Sequence, residues 1–186
     1  KDAFIQFHTD GRAAQIPTLN ELALFQEFRG LVPEGPVGDT IQAQLVGRLV
    51  ELDLLEPAED LLTDLADRRL KGLPESKARN QLGLVYLMDR KPQKAVEALD
   101  RAMAAEADDD TIATRRQLRA RALVDLGQYP DALRTLAGDA SSNATLLRAE
   151  LFWRSNDWRQ AASALAALAT PVDPAKLSDR KSTRLN

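Results

Sequence analysis

One stretch constrains this chain more than any other: Leu82-Gly83-Leu84-Val85-Tyr86-Leu87-Met88-Asp89-Arg90-Lys91-Pro92-Gln93-Lys94-Ala95-Val96-Glu97-Ala98-Leu99-Asp100-Arg101-Ala102. It reads as two helices joined by a tight turn. Leu82, Gly83 and Tyr86 share one face of the first helix, because residues three and four apart are neighbours on a helix. Pro92 suits the start of the second, where its missing N–H is no loss. Ala95, Val96, Leu99, Ala102 and Met103 then follow at i, i+1, i+4, i+7 and i+8, the spacing of a helical apolar stripe.

Composition favours the same reading. The 186 residues are 44% apolar and 28% charged, ordinary for a globular chain. Aromatics make up only 5%, so Leu, Ala and Val must fill the interior. That suits close-packed helices better than strands, which favour aromatic and β-branched residues. The net charge of −3 is too small to steer the chain toward nucleic acid or a membrane surface. With no cysteine, disulfides, thiolate metal sites and cysteine nucleophiles are excluded. No run approaches the roughly 18 apolar residues of a membrane span, and no signal peptide is visible.

Leu-Gly-x-x-Tyr, a tight turn, then Ala-x-x-x-Leu-x-x-Ala is the pattern of the tetratricopeptide repeat (TPR), which this segment resembles. The pattern recurs. The small residues opening each second helix are Ala58, Ala95, Ala132 and Ala161, at intervals of 37, 37 and 29 residues, around the TPR period of about 34. Four hairpins are expected, pairing residues 39–53 with 56–70, 75–89 with 92–105, 110–126 with 129–138, and 142–155 with 157–169. Leu45, Leu49, Leu61, Leu62 and Leu65 should be buried in the first. Gly127-Gln128-Tyr129-Pro130-Asp131-Ala132-Leu133 and Asp157-Trp158-Arg159-Gln160-Ala161-Ala162 match the family's turn. Gly83, Ala120 and Ala149 let backbones approach closely, and Tyr86, Leu123 and Phe152 plug the space beside them. Val46, Arg119 and Arg148 depart from the pattern. The resemblance implies an all-α, TPR-like α-solenoid of stacked antiparallel hairpins in a right-handed superhelix. It spans residues 18–170 and looks like part of a large bacterial TPR-containing protein of unestablished role.

Outside the array, the expected organisation is an N-terminal segment over 1–38 and an unstructured tail over 171–186. Phe4, Ile5 and Phe7 could begin a short strand or belong to an upstream helix. Thr18-Leu19-Asn20-Glu21 reads as a capping box, opening a helix that ends near Gly30. Pro33, Gly35 and Pro36 mark a linker up to Gly38. The final eight residues, Asp179–Asn186, look like the in-frame translation of a sequencing adapter and are set aside from fold reasoning. The chain opens at Lys1 without a methionine, so both ends read as cut.

Chemistry is hard to find. His8 is the only histidine and has no evident partner. Asp108-Asp109-Asp110 lacks the spaced ligands, glycine and terminal Glu of a calcium loop; Asp109 or Asp110 is expected to cap the next helix. No Gly-x-Ser-x-Gly or His-Glu-x-x-His occurs. The chain reads as non-catalytic, with no cofactor and no metal.

The resemblance points instead to a concave groove lined by the first helix of each hairpin, holding an extended or helical segment of a partner. Its implied lining is Lys77, Asn80, Leu84 and Leu87, then Gln117, Arg121 and Val124, then Glu150 and Trp153. Asn and Gln can grip peptide backbone, Arg can pair a carboxylate bidentately and Trp can anchor an apolar side chain. The same residues allow two other readings: a structural or regulatory spacer within a larger, exported or membrane-linked protein, and RNA binding through Arg115, Arg116, Arg119 and Arg121. Ala161, Ala164, Leu165 and Leu168 have nothing obvious to cover them, so self-association or fraying is expected at that end.

Overall fold

The structure, a computed structural model, describes residues 2–102 and 106–168; the sequence-stretch 171–186 lies outside the described residues. Among these, every regular element is helical. The helices are α1 (Asp2–Thr9), α2 (Thr18–Glu27), α3 (Pro36–Glu51), α4 (Leu55–Asp64), α5 (Leu73–Met88), α6 (Pro92–Arg101), α7 (Asp109–Asp125), α8 (Tyr129–Thr135), α9 (Ser142–Arg154) and α10 (Trp158–Leu168). Single 3-10 turns follow α1 and α2, and α4 runs on into a π-helical turn over Leu65–Arg69.

The four expected hairpins are α3–α4, α5–α6, α7–α8 and α9–α10, each packed along its length. One turn geometry closes all of them. Asp53, Arg90, Gly127 and Asn156 each take the left-handed conformation, with φ of 59°, 55°, 74° and 61°. The N–H of the next residue donates to the carbonyl five positions back in every case: Leu54 to Leu49 at 2.9 Å, and Lys91 to Tyr86, Gln128 to Leu123 and Asp157 to Phe152 at 2.8 Å. This is the Schellman way of satisfying the last carbonyls of a helix. Only one of the four positions carries the glycine that signals it in sequence.

Ala58, Ala95, Ala132 and Ala161 are all buried at the hairpin seams. At Gly83 the approach is closer still, since a Cβ there would lie 2.8 Å from Leu99 Cγ and Cδ2. Val46, unexpectedly large for its position, is fully buried and fills the first seam. Leu45, Leu49, Leu61, Leu62 and Leu65 are buried as expected. Leu123 is buried, whereas Tyr86 and Phe152 are only half-buried; the Tyr86 ring carries Lys94 Nζ 5.6 Å from its centroid. One apolar core joins α2 through α6 and a second joins α7 through α9.

Successive hairpins are tied by polar side chains that reach across from one to the next. Asn80 Nδ2 donates to Thr111 O at 2.8 Å, and Arg115 donates to the Ser76 hydroxyl. Lys91 holds both oxygens of Glu59 at 3.0 Å; burial raises the Glu59 carboxyl above its ordinary value even so. Arg119 and Arg148 depart from the apolar pattern because they bond across the seams. Arg119 donates to Asp100 at 2.6 Å and Thr135 at 2.8 Å. Arg148 donates to the Leu136 and Asp139 carbonyls at 3.1 and 2.8 Å, where α8 ends.

Three local expectations are corrected. Phe4, Ile5 and Phe7 lie in helix α1, not in a strand. No capping box forms at Thr18, because Pro17 occupies the cap position and Glu21 turns inward to meet Arg48. Arg48 also donates to Ala13 O at 2.8 Å and Ile16 O at 2.7 Å, fastening the N-terminal segment to α3. Burial raises the Glu21 carboxyl despite the opposing pull of Arg48 and His8. Helix α3 starts at Pro36, not Asp39. The preceding bend is held down by Arg69, which donates to Pro33 O and Asp39 Oδ1, both at 2.7 Å.

The helix caps also differ in detail. Asp108, rather than Asp109 or Asp110, accepts from Thr111 N at 2.8 Å and caps α7. Ser141 caps α9 through Ala144 N at 3.2 Å, while Asp139 accepts from Ser141 N at 2.9 Å. Bonding to Thr111 holds the Asp108 carboxyl below its ordinary value of 3.8, and bonding to Ser141 and Gln117 does the same at Asp139. Below 3.8 the unfolded chain therefore binds more protons than the folded one, and stability falls as pH drops through that window. Thermal melts from about pH 5 to about pH 2 should show this loss, and Asp108→Asn with Asp139→Asn should flatten it; an unchanged slope would contradict these caps.

Candidate functional site

Helix α5 lies along α7, and α7 along α9. Each spends one face on its own partner helix and another on the neighbouring hairpin, which leaves a third face open. On α5 the open stripe is Lys77, Gln81, Leu84 and Met88, all exposed, at i, i+4, i+7 and i+11. On α7 it is Thr114, Leu118, Arg121 and Asp125, with Leu118 half-buried. On α9 it is Asn143, Leu146, Glu150 and Trp153, with Glu150 half-buried.

The chemistry of this surface is mixed in an ordered way. A line of alternating charge links α7 to α9. Arg121 Nη1 stands 3.8 Å from Glu150 Oε2, Glu150 Oε1 is 2.8 Å from Arg154 Nη2, and Arg154 Nη1 is 4.0 Å from Asp125 Oδ1. Large apolar side chains flank that line. Leu84 and Met88 stand exposed on α5, and Leu146 and Trp153 on α9. Trp153, 61% exposed, meets Trp158 edge to face with centroids 4.7 Å apart.

Of the nine residues expected in the groove, Lys77, Leu84, Arg121 and Trp153 are exposed, and Leu87, Gln117 and Glu150 are half-buried. Lys77 Nζ lies 3.7 Å from Asp108 Oδ2. Gln117 donates to Asp139 at 3.1 Å and to the Ser141 hydroxyl at 3.2 Å, so its amide serves the turn before α9. Asn80 and Val124 do not join the surface. Asn80 is 6% exposed with its amide spent on Thr111, and Val124 sits in the second core. Gln81, Met88, Asp125, Leu146 and Arg154 belong to the surface and were missed. Extending the Lys77 stripe by helical steps of four, three and four residues would have found Gln81 and Met88.

The other constellations do not assemble. Arg115 is buried and Arg119 is paired across a seam, so the basic cluster over 115–121 does not present one face. His8 is buried between Phe4 and Phe7, its Nδ1 donating to Phe4 O at 2.9 Å and its Nε2 facing Glu21 at 3.9 Å. Among the described residues no three His, Asp or Glu side chains converge to hold a metal ion. Among the same residues no helix is long and apolar enough to cross a membrane.

Solved structures with this arrangement are known. The chain is similar to a crystal structure of a Podosopora anserina putative kinesin light chain with nearly identical TPR-like repeats, at 16% identity and a TM-score of 0.63, covering 87% of each chain. A variant of that protein gives a TM-score of 0.65 at the same identity and coverage. The crystal structure of YrrB, described as a TPR protein with an unusual peptide-binding site, is 15% identical with a TM-score of 0.54, over 88% of this chain and 89% of that one. No protein-family model matches the sequence, and no curated protein matches it. The likeness is one of fold.

Proposed function

We propose that this chain, an all-helical TPR-like repeat solenoid by fold, is a non-enzymatic interaction scaffold whose open face on α5, α7 and α9 holds a segment of a partner protein. One observation carries the reading. Four large apolar side chains, Leu84, Met88, Leu146 and Trp153, stand in water on either side of a charged line. Exposed apolar groups gathered on one face mark interaction sites, and a tryptophan beside arginines is the usual composition of a binding hot spot. The peptide-binding site named for YrrB supports the same use of such a fold.

The test starts from peptides selected out of a random library on the immobilised chain. Leu84→Ser with Trp153→Ala should weaken the selected peptides roughly 10- to 100-fold, the effect of losing a hot-spot anchor. A library that yields no binder, or peptides indifferent to both substitutions, would overturn the assignment. A second reading, a spacer whose repeats serve mainly to pack on one another, draws on the internal pairing of Gln117, Arg121 and Glu150. It expects that empty library.

A further inference from the structure

We propose that His8 is a pH-operated catch, which in its protonated form fastens α1 onto α2 and α3 and on losing the proton lets that helix loosen. The inference is independent of the peptide-binding reading, and every group it uses lies between Phe4 and Arg48. It begins from what surrounds the ring. His8 Nδ1 stands 2.9 Å from Phe4 O, and Nε2 faces Glu21 Oε1 at 3.9 Å. Both neighbours are acceptors. A neutral imidazole carries one N–H and one lone pair, so either tautomer sets a bare nitrogen against an oxygen. Only the imidazolium has a donor for each.

Bulk water does not relieve the mismatch. The His8 and Glu21 side chains are 2% and 4% exposed, and Nε2 is buried with no hydrogen-bond partner among the described residues. On α1 the ring meets Phe4 and Phe7. The charged groups facing it are Glu21 from α2 and Arg48 from α3, which grips the other Glu21 oxygen. Arg48 also donates to the Ala13 and Ile16 carbonyls, so its charge is shared among three acceptors. Arg12 and Asp10, beside the turn after α1, pair with each other in solvent at 3.3 Å. A proton on Nε2 turns the 3.9 Å gap to Glu21 into a buried charge pair, where attraction is far stronger than in water.

The consequence falls on the edge of the first core. Phe4 packs against that core, and His8 stands one turn further along α1. With eight residues α1 is too short to persist alone, so its hydrogen bonds last only while it is docked. The docked form binds the proton and the released form does not need it. Docking is therefore firm at low pH and weakens as pH rises through the range in which imidazoles change charge, about 5 to 8. Burial raises the Glu21 carboxyl and so acts in the same direction. A variant lacking the imidazole separates the two.

The experiment is hydrogen exchange of the full chain, followed amide by amide over residues 6–10 and over α5, from about pH 6 to about pH 8. Rates are divided by those of a free peptide at each pH. The protection of α1 should then fall about tenfold across that range, within the limit of about tenfold per pH unit that one proton sets. The protection of α5 should stay constant. His8→Gln keeps a side-chain donor and cannot titrate, so its α1 protection should not change with pH; its α5 amides show whether the rest of the fold survives. Parent α1 protection that is constant or rises with pH, or that is absent throughout, would overturn the proposal. An equally steep fall in His8→Gln would do the same, because it would place the proton on Glu21.

Discussion

Leu99→Ala is expected to lower the unfolding free energy by about 2–5 kcal/mol, the range for truncating a large aliphatic side chain in a packed core. Leu99 is fully buried, and its side chain lies against Gly83 of α5 with no room left for a Cβ. Gly83→Ala should also destabilise. Alanine favours a helix by about 1 kcal/mol, but its Cβ would stand 2.8 Å from Leu99 Cγ and Cδ2. Overpacking of that kind costs roughly 1–3 kcal/mol. The pair should not add. In the Leu99→Ala background the clash is gone and the new methyl enters the vacated space, so the double variant should be more stable than Leu99→Ala alone. Urea unfolding of the four proteins measures this coupling, and strict additivity would mean the two helices do not meet where the seam requires.

The second large effect separates two glycines of one helix. Gly38 and Gly47 both lie in α3 with ordinary helical backbone. At Gly38 a Cβ would fall 1.9 Å from the Pro33 carbonyl oxygen and 2.7 Å from Arg69 Nη2; at Gly47 it would meet nothing within 4 Å. Backbone cannot swing aside as a side-chain tip can. Gly38→Ala should therefore lose about 1–3 kcal/mol by pushing the 33–36 bend off the first hairpin. Gly47→Ala should gain roughly 0.5–1 kcal/mol from reduced chain entropy in the unfolded state. Thermal melts that moved both variants in the same direction would refute the close packing of that bend.

The hairpins were legible because their signal is steric and periodic. Ala95, Ala132 and Ala161 recur where two backbones touch, and Gly127 sits where the turn needs a left-handed residue. Asp53, Arg90 and Asn156 adopt that same conformation without the residue type that advertises it, so three of the four turns gave only their spacing. The capping box at Thr18 misled because local bonding lost to burial. Glu21 gains Arg48, a partner 27 positions away in sequence that no short motif reveals. The open face was read in part. Leu84, Arg121 and Trp153 follow from repeat position alone. Asn80 depends on a bond to Thr111 in the next repeat, a contact between elements rather than a property of α5. Arg119 and Arg148 looked like faults in the pattern for the same reason, since the carbonyls and carboxylate they use belong to other segments.

The absence of cysteine in the sequence makes one measurement decisive for the stack itself. Single cysteines placed at Leu84, Arg121, Leu146 and Trp153, and separately at Ala95, Ala120, Ala132 and Ala149, can be titrated with a thiol reagent under native conditions. The first set should react as fast as in denaturant, and the second should be protected until the chain unfolds. Comparable rates in both sets would show that the alanine seams are not closed and that α5, α7 and α9 do not share an open face.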